Sequence, residues 1–269
     1  MKLKLILVLA VICIAFSGCL ENGDETKPTP EIPSNVIVKE FGDVKLHSFL
    51  SDSVSPVIVE HDKLIIIDYP GDSEIQATAF KEYVESFGKP IDRIIISHVD
   101  EAHWINIQKY FPNVSIYSVD ADEIMAMATG SNLTVTKLND DSKMTIDGVK
   151  YEFETNREIG AWAIKLSDQK AVYVEHLGYV NLHVLIAPLE PRAEMLKDLE
   201  AQGYIWFMSG HGVPATASEF VDNVEKYYSE ILKAVAESET PDEAKTIIMQ
   251  KYPNYVTEEM LDAMLPQFF

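Results

Sequence analysis

The sequence predicts a mixed α/β fold built as two packed layers, and three observations lead there. Strand-like segments come first and helical ones later in each half of the chain. The apolar runs Leu64 to Ile67 and Ile94 to Ile96 read as buried strands, each ending in a polar turn before helical periodicity sets in. The chain is also long enough, at 269 residues with 47% hydrophobic content, to bury one large core. No repeat at solenoid periods interrupts this pattern.

In chain order, Val36 to Val38, Val44 to Phe49, Val57 to Val59 and Leu64 to Ile67 are rich in β-branched residues. Turns at Gly42-Asp43 and His61-Asp62 make them an antiparallel meander. Asp68-Tyr69-Pro70-Gly71-Asp72 breaks the most apolar strand. Glu74 to Phe87 follows as a helix, with Ile75, Ala79, Tyr83 and Phe87 on one side and Gly88 just beyond it. Ile91 to Ile96 is the next strand, and Ile105 to Phe111 reads as a helix. Val114 to Val119 is a strand, Ala121 to Ala128 a short helix, and Leu133 to Val149 holds short strands around an Asp147-Gly148 turn. Tyr151 to Phe153, Trp162 to Leu166, Ala171 to Val174 and Tyr204 to Met208 are further strands. Helices are expected at Arg192 to Ala201, Ala217 to Glu237, Asp242 to Lys251 and Thr257 to Met264.

The N-terminus reads as targeting. Lys2 and Lys4 precede an apolar run, Leu5 to Phe16, that is short of the roughly 20 residues a spanning helix needs. Ser17-Gly18-Cys19 follows. Phe16-Ser17-Gly18-Cys19 resembles the lipobox of prokaryotic lipoproteins, with Phe16 departing from the usual aliphatic residue. The resemblance implies that residues 1–18 are a signal peptide, that Cys19 is lipidated, and that the protein sits outside the cytoplasm, anchored to the membrane. Residues 19–35 then form a polar, proline-containing tether and residues 36–269 the folded domain. Cleavage discards Cys13, so no disulfide and no thiolate metal site is expected. A formal net charge of −21 disfavours nucleic acid as a partner. Asn113 and Asn132 begin glycosylation sequons, which are common by chance.

The chemistry concentrates in Ser97-His98-Val99-Asp100-Glu101-Ala102-His103-Trp104, two imidazoles and two carboxylates on a loop at the C-terminal end of a strand. Ligands gather at that end in open α/β sheets. Nitrogen and oxygen donors of this kind suit a divalent metal. The alternative is a solvated turn in which Asp100 or Glu101 favours a helix N-terminus.

Val57 to Gly71, the loop from Ser97 to Trp104 and Ser209-Gly210-His211-Gly212-Val213-Pro214 together resemble the metallo-β-lactamase fold superfamily, over about Val36 to Tyr255. The resemblance implies a four-layer αβ/βα sandwich with a helical C-terminal tail. It also implies one or two divalent ions, zinc first, with iron or manganese as alternatives. Its motif His-x-His-x-Asp-His reads here His98-Val99-Asp100-Glu101-Ala102-His103, so Asp100 replaces the second histidine and Ala102 the aspartate. Arg157 falls where another ligand histidine belongs, and a guanidinium does not ligate metals. His176 falls at the bridging carboxylate, and His211 keeps the last ligand position. The implied metal ligands are therefore His98, Asp100, His103, His176 and His211.

On this resemblance, Asp100 or Glu101 stands in as general base, and Arg157 either holds an anionic substrate group or pairs with Glu158 or Glu175. The implied function is metal-assisted hydrolysis of a small ester, lactone, thioester or phosphodiester. The alternative is a degenerate binding or accessory lipoprotein, which Ala102 and Arg157 favour. His47, His61 and His183 match no ligand position and are expected at the surface or a strand edge. Trp104, Trp162 and Trp206 are expected in the core, and packing suffices to explain Met125 and Met127.

Overall fold

The structure, a computed structural model, describes residues 31–269, so the signal segment, Cys19 and most of the tether lie outside it. Two sheets face each other. The first takes strands β1 (Val36–Phe41), β2 (Val44–Phe49), β3 (Val57–Glu60), β4 (Leu64–Ile67), β5 (Ile91–Ile95), β6 (Ser115–Ser118) and β7 (Val135–Lys137), in that order. The second runs β13 (Ala215–Thr216), β12 (Trp206–Met208), β11 (Ala171–Tyr173), β10 (Ala161–Leu166), β9 (Val149–Asn156), β8 (Lys143–Ile146). Helix α1 (Glu74–Ser86), the single turn α2 (Ile107–Tyr110) and α3 (Ala121–Met127) connect strands of the first sheet. Helices α4 (Leu189–Ala201), α5 (Ala217–Ala236), α6 (Pro241–Lys251) and α7 (Glu258–Met264) belong to the second half.

Alternation along the strands builds three cores. Between the sheets, Val57, Val59, Ile65, Ile67 and Ile95 pack with Tyr151, Phe153, Ile164 and Tyr173. Their neighbours Ile58, Leu64, Ile66, Ile94 and Ile96 point the other way and are covered by Ala77, Phe80 and Val84 of α1. In the second sheet Ala161, Ala163, Val172 and Phe207 lie under Leu196, Phe220 and Val224. Both faces of the central strands are buried, which is why these strands read as continuous apolar runs rather than alternating ones. Each such side chain contributes about 1.5–3 kcal/mol by leaving water.

Several expectations shift. Helix α1 buries Ala77, Phe80, Tyr83 and Val84, while Ile75 is 83% exposed. The larger Phe80 and Val84 side chains set the inward face. The helix expected at Ile105 to Phe111 is only one turn, because Asn106 adopts a left-handed backbone (φ 63°) that cannot extend it. His47 and His183 are buried rather than at an edge, at 3% and 0% exposure. Each has found a tyrosine hydroxyl, Tyr83 for His47 at 2.8 Å and Tyr227 for His183 at 2.7 Å. Trp104 and Trp162 are buried as expected.

Strands β4 to β7 run parallel, as do β11 and β12. Parallel strands deliver all their C-terminal ends to one rim. Asp68, Ser97 to His103, Asp120, Glu175-His176 and Ser209 to His211 follow those strands, and the site is therefore assembled along one edge of the sandwich.

Candidate metal centre

Asp68 is the hub of this rim. It closes β4 in a left-handed conformation (φ 61°), a strained state for a non-glycine residue, and it is wholly buried. Its carboxylate accepts hydrogen bonds from the Ser97 backbone N–H at 2.6 Å, the Ser97 hydroxyl and the Tyr173 hydroxyl. His103 Nδ1 lies 3.1 Å from Asp68 Oδ2. Burial pushes the Asp68 carboxyl up, but the charge of His103 and the hydrogen bonds outweigh it and hold its pKa below the ordinary value. Gly71 closes the same turn. A Cβ there would stand 2.4 Å from the Ile105 carbonyl oxygen, so only glycine lets this turn approach the loop that carries His103.

Four imidazoles converge in front of Asp68. His98, His103 and His176 offer donor atoms that all lie within 4.8 Å of one another. His211 joins through its Nε2, 2.9 Å from Nε2 of His176. The His211 ring is fixed by Nδ1–H donating to the Ser53 carbonyl at 2.6 Å, which leaves Nε2 as a lone pair facing the cluster. Two nitrogens bound to one ion at about 2.0–2.1 Å sit roughly 3.0–3.4 Å apart, so the His176–His211 spacing lies just below a shared-ligand geometry.

Orphaned polar atoms point to the same conclusion. Nε2 of His103, Nδ1 of His176 and both carboxyl oxygens of Glu175 are buried with no hydrogen-bond partner. Glu175 Oε1 lies 3.6 Å from His98 Nε2 and 3.5 Å from His176 Nδ1. Imidazole and carboxyl donors lacking other partners are the set that a divalent ion satisfies, and the residues therefore fit one. His98 alone carries a restriction. The Asp100 N–H donates to its Nδ1 at 3.0 Å, which places the neutral ring's proton on Nε2, and ligation through Nε2 requires the other tautomer.

Electrostatically His98, His176 and His211 are held neutral. Burial lowers His98 and His211 to about 4, with the charge of His103 adding to the effect. His176 is pushed well below its usual value by burial and then by the neighbouring imidazoles. Burial pushes the Glu175 carboxyl well above the usual carboxylate range. Neutral imidazoles are the form that binds metal.

Not every residue expected at the site is part of it. Asp100 is exposed, and its carboxylate caps the short 3₁₀ turn Glu101–His103 by accepting from Ala102 N–H at 3.0 Å. Glu101 is exposed on that turn. Neither belongs to the converging donors. Arg157 pairs with neither Glu158 nor Glu175. Its guanidinium grips both oxygens of Asp140, at 2.6 and 3.1 Å, and also Asp120. Asp68 was missed as a site residue, although an acid ending the most apolar strand was a visible signal.

A second group, His61, Asp62 and Asp147, lies at the opposite end of β4. His61 bridges Asp43 at 3.2 Å and Asp147 at 3.3 Å across the polar turns of the two sheets, and this surface ion pairing accounts for it.

The comparisons agree with the geometry. The structure is similar to a metallo-beta-lactamase from Pontibacter korlensis, with a TM-score of 0.55 and 14% identity over 72% of this chain and 97% of that one. The DIM-1 metallo-beta-lactamase also gives a TM-score of 0.55, at 15% identity, over 73% of this chain and 99% of that one. The rubredoxin oxygen:oxidoreductase of the anaerobe Desulfovibrio gigas gives 0.54 at 13% identity, over 72% of this chain and 61% of that chain. No family model matches the sequence, and no curated protein matches it. The chain therefore has the metallo-β-lactamase fold. Within that fold it carries four clustered histidines that could hold a metal.

Proposed function

We propose that the chain is a metal-dependent hydrolase acting on a small ester, lactone, thioester or phosphodiester. The observation that carries this reading is the meeting of His98, His103, His176 and His211 at one rim, with Asp68 buried behind His103. Those four imidazoles would hold the ion, with zinc, iron or manganese all suited to them. The ion supplies Lewis acidity and a water-derived nucleophile near neutral pH.

The chain's own residues do the rest. Asp68 orients His103 through Nδ1 and so directs Nε2 to the front of the cluster. The Ser53 carbonyl does the same for His211. Glu175 is the carboxyl group beside His98 and His176, and its Oε1 is placed to take or return a proton at the reacting centre. That role falls to Glu175 in preference to Asp100 and Glu101, which face solvent. Lipidation at Cys19, and with it an extracytoplasmic membrane anchor, belongs to this reading on the strength of the sequence alone. A lipid-sized mass increase on the mature N-terminal peptide checks it.

A binding or accessory role is the second reading. It is favoured by Ala102, which has no carboxylate, and by Arg157, which is locked in ion pairs. Elemental analysis, followed by a panel of the four substrate types with and without chelator, separates the two. Bound metal with chelator-sensitive turnover of one panel member supports the hydrolase. Bound metal with no turnover favours the accessory role, and absence of metal overturns the hydrolase.

A further inference from the structure

Beside His98 and Glu175 opens a cavity of about 470 Å³, large enough for a small aromatic ligand. Val99, Ala126, Met127, Ala161 and Trp162 give it apolar walls. Its charged lining is Asp120, Glu123, Glu175 and Arg157. Arg157 is the one cation among them, and its guanidinium is taken by Asp120 and bidentate by Asp140. A fork already engaged in this way has little left to offer a carboxylate or phosphate.

The balance around the cavity is therefore negative. Asp120 and Glu123 face the single Arg157, and Asp140 stands directly behind it. The net charge of the whole chain, −21, adds a field of the same sign. A second observation is independent of this surface charge. Glu175 is 1% exposed and lines the cavity, and neither of its carboxyl oxygens has a hydrogen-bond partner. Where no ion holds it, a buried carboxyl without a partner can accept a hydrogen bond from a ligand donor. Apolar walls, a negative rim and an unpartnered acceptor together describe a receptor for an organic cation.

We propose that this cavity binds the recognition group of the substrate, and that this group is a compact apolar body carrying an ammonium. Carboxylates and phosphates are disfavoured there. In this arrangement Arg157 serves to hold Asp120 and Asp140 together across the cavity mouth, not to receive an anion. The word substrate rests on the hydrolytic reading above; the charge preference does not.

Benzylammonium and benzoate share a ring and differ in charge, and they are the probes. Their affinities are measured by ligand-observed NMR on the full mature chain at low ionic strength, where charge effects are least screened. Each titration is run with and without chelator, so that a carboxylate held by metal is not counted. Benzylammonium is expected to bind about tenfold tighter than benzoate or better. Glu123→Gln, at an exposed position on α3, should narrow that preference severalfold. The double variant Asp120→Asn/Asp140→Asn releases Arg157 and should raise benzoate affinity about tenfold.

Benzoate binding as tightly as benzylammonium in the unaltered protein overturns the proposal, as does an unchanged preference in Glu123→Gln. Failure of both probes to bind overturns it as well. Because the chelated arm involves neither metal nor turnover, the outcomes stay separate. A chain that holds no metal yet prefers benzylammonium sinks the hydrolase and leaves the cation site standing.

Discussion

Nε2 of His176 and Nε2 of His211 lie 2.9 Å apart, although the residues are 35 positions apart in sequence. Two neutral imidazoles meet this closely when one donates to the other or when both face a shared cation. The His211 proton is committed to the Ser53 carbonyl, so Nε2 of His211 is the accepting atom in either case. The pair is thus prepared on one side for a cation.

Metal content is the direct consequence. Protein purified without added metal is expected to carry about one equivalent of a first-row divalent ion. His211→Ala should lower this markedly and His98→Ala/His211→Ala should abolish it. Plasma mass spectrometry on folded variants, checked by circular dichroism, makes the measurement. Unchanged stoichiometry in the double variant contradicts the site.

Stability of the chelator-treated protein should fall as pH falls through a defined window. His98 and His211 have folded values of about 4, against an ordinary imidazole near 6.5. Between those values the unfolded chain binds more protons than the folded one, so stability rises with pH across the window and is lost as pH falls through it. Thermal melts from pH 7 to pH 4 should show this decline, and His98→Gln/His211→Gln should flatten it. A flat profile in the unaltered protein contradicts the neutral assignment of these rings.

Gly71→Ala tests the close approach beneath His103. Its Cβ meets the Ile105 backbone oxygen at 2.4 Å, and the backbone cannot yield as a flexible side chain would. The loop must move, at a cost of about 1–3 kcal/mol. Denaturant unfolding reads the loss, and weakened metal retention should accompany it. An unaffected midpoint means the turn is looser than described.

Two apolar substitutions on α1 should behave oppositely. Phe80→Ala removes a wholly buried ring from the outer core of the first sheet and should cost about 3–5 kcal/mol. Ile75→Ser lies on the same helix but faces solvent, and it should change stability by about 0.5 kcal/mol or less. Equal losses in the two variants would reverse the inward face of the helix.

Much of the fold was legible because the central strands are buried on both sides. Leu64 to Ile67 is buried throughout, as are Ile94 and Ile95, and the ends of these two strands fix where the rim lies. The structure brings four of the five residues expected as metal ligands, His98, His103, His176 and His211, together at that rim. Asp100 is not among them, because its carboxylate is used by the neighbouring Ala102 N–H, a local competition that composition does not reveal. The ion-pair partners of Arg157 are illegible in the sequence for a different reason. Its partners Asp120 and Asp140 sit 37 and 17 positions upstream, and nothing local announces them. The burial of His47 and His183 is hidden from the sequence because their tyrosine partners lie 36 and 44 positions away. Long-range pairing, not local propensity, accounts for each of these gaps.

The four imidazoles are divided evenly between the two halves of the molecule, with His98 and His103 after β5 and His176 and His211 after β11 and β12. Whatever occupies the space among them is gripped from both sheets at once and acts as a rivet through the sandwich. At a hundredfold excess over its dissociation constant, such a rivet adds about 2.7 kcal/mol to the folded state. Occupancy of the centre and cohesion of the sheet pair are then one variable, and stripping the centre should loosen the whole edge of the protein as well as silence it.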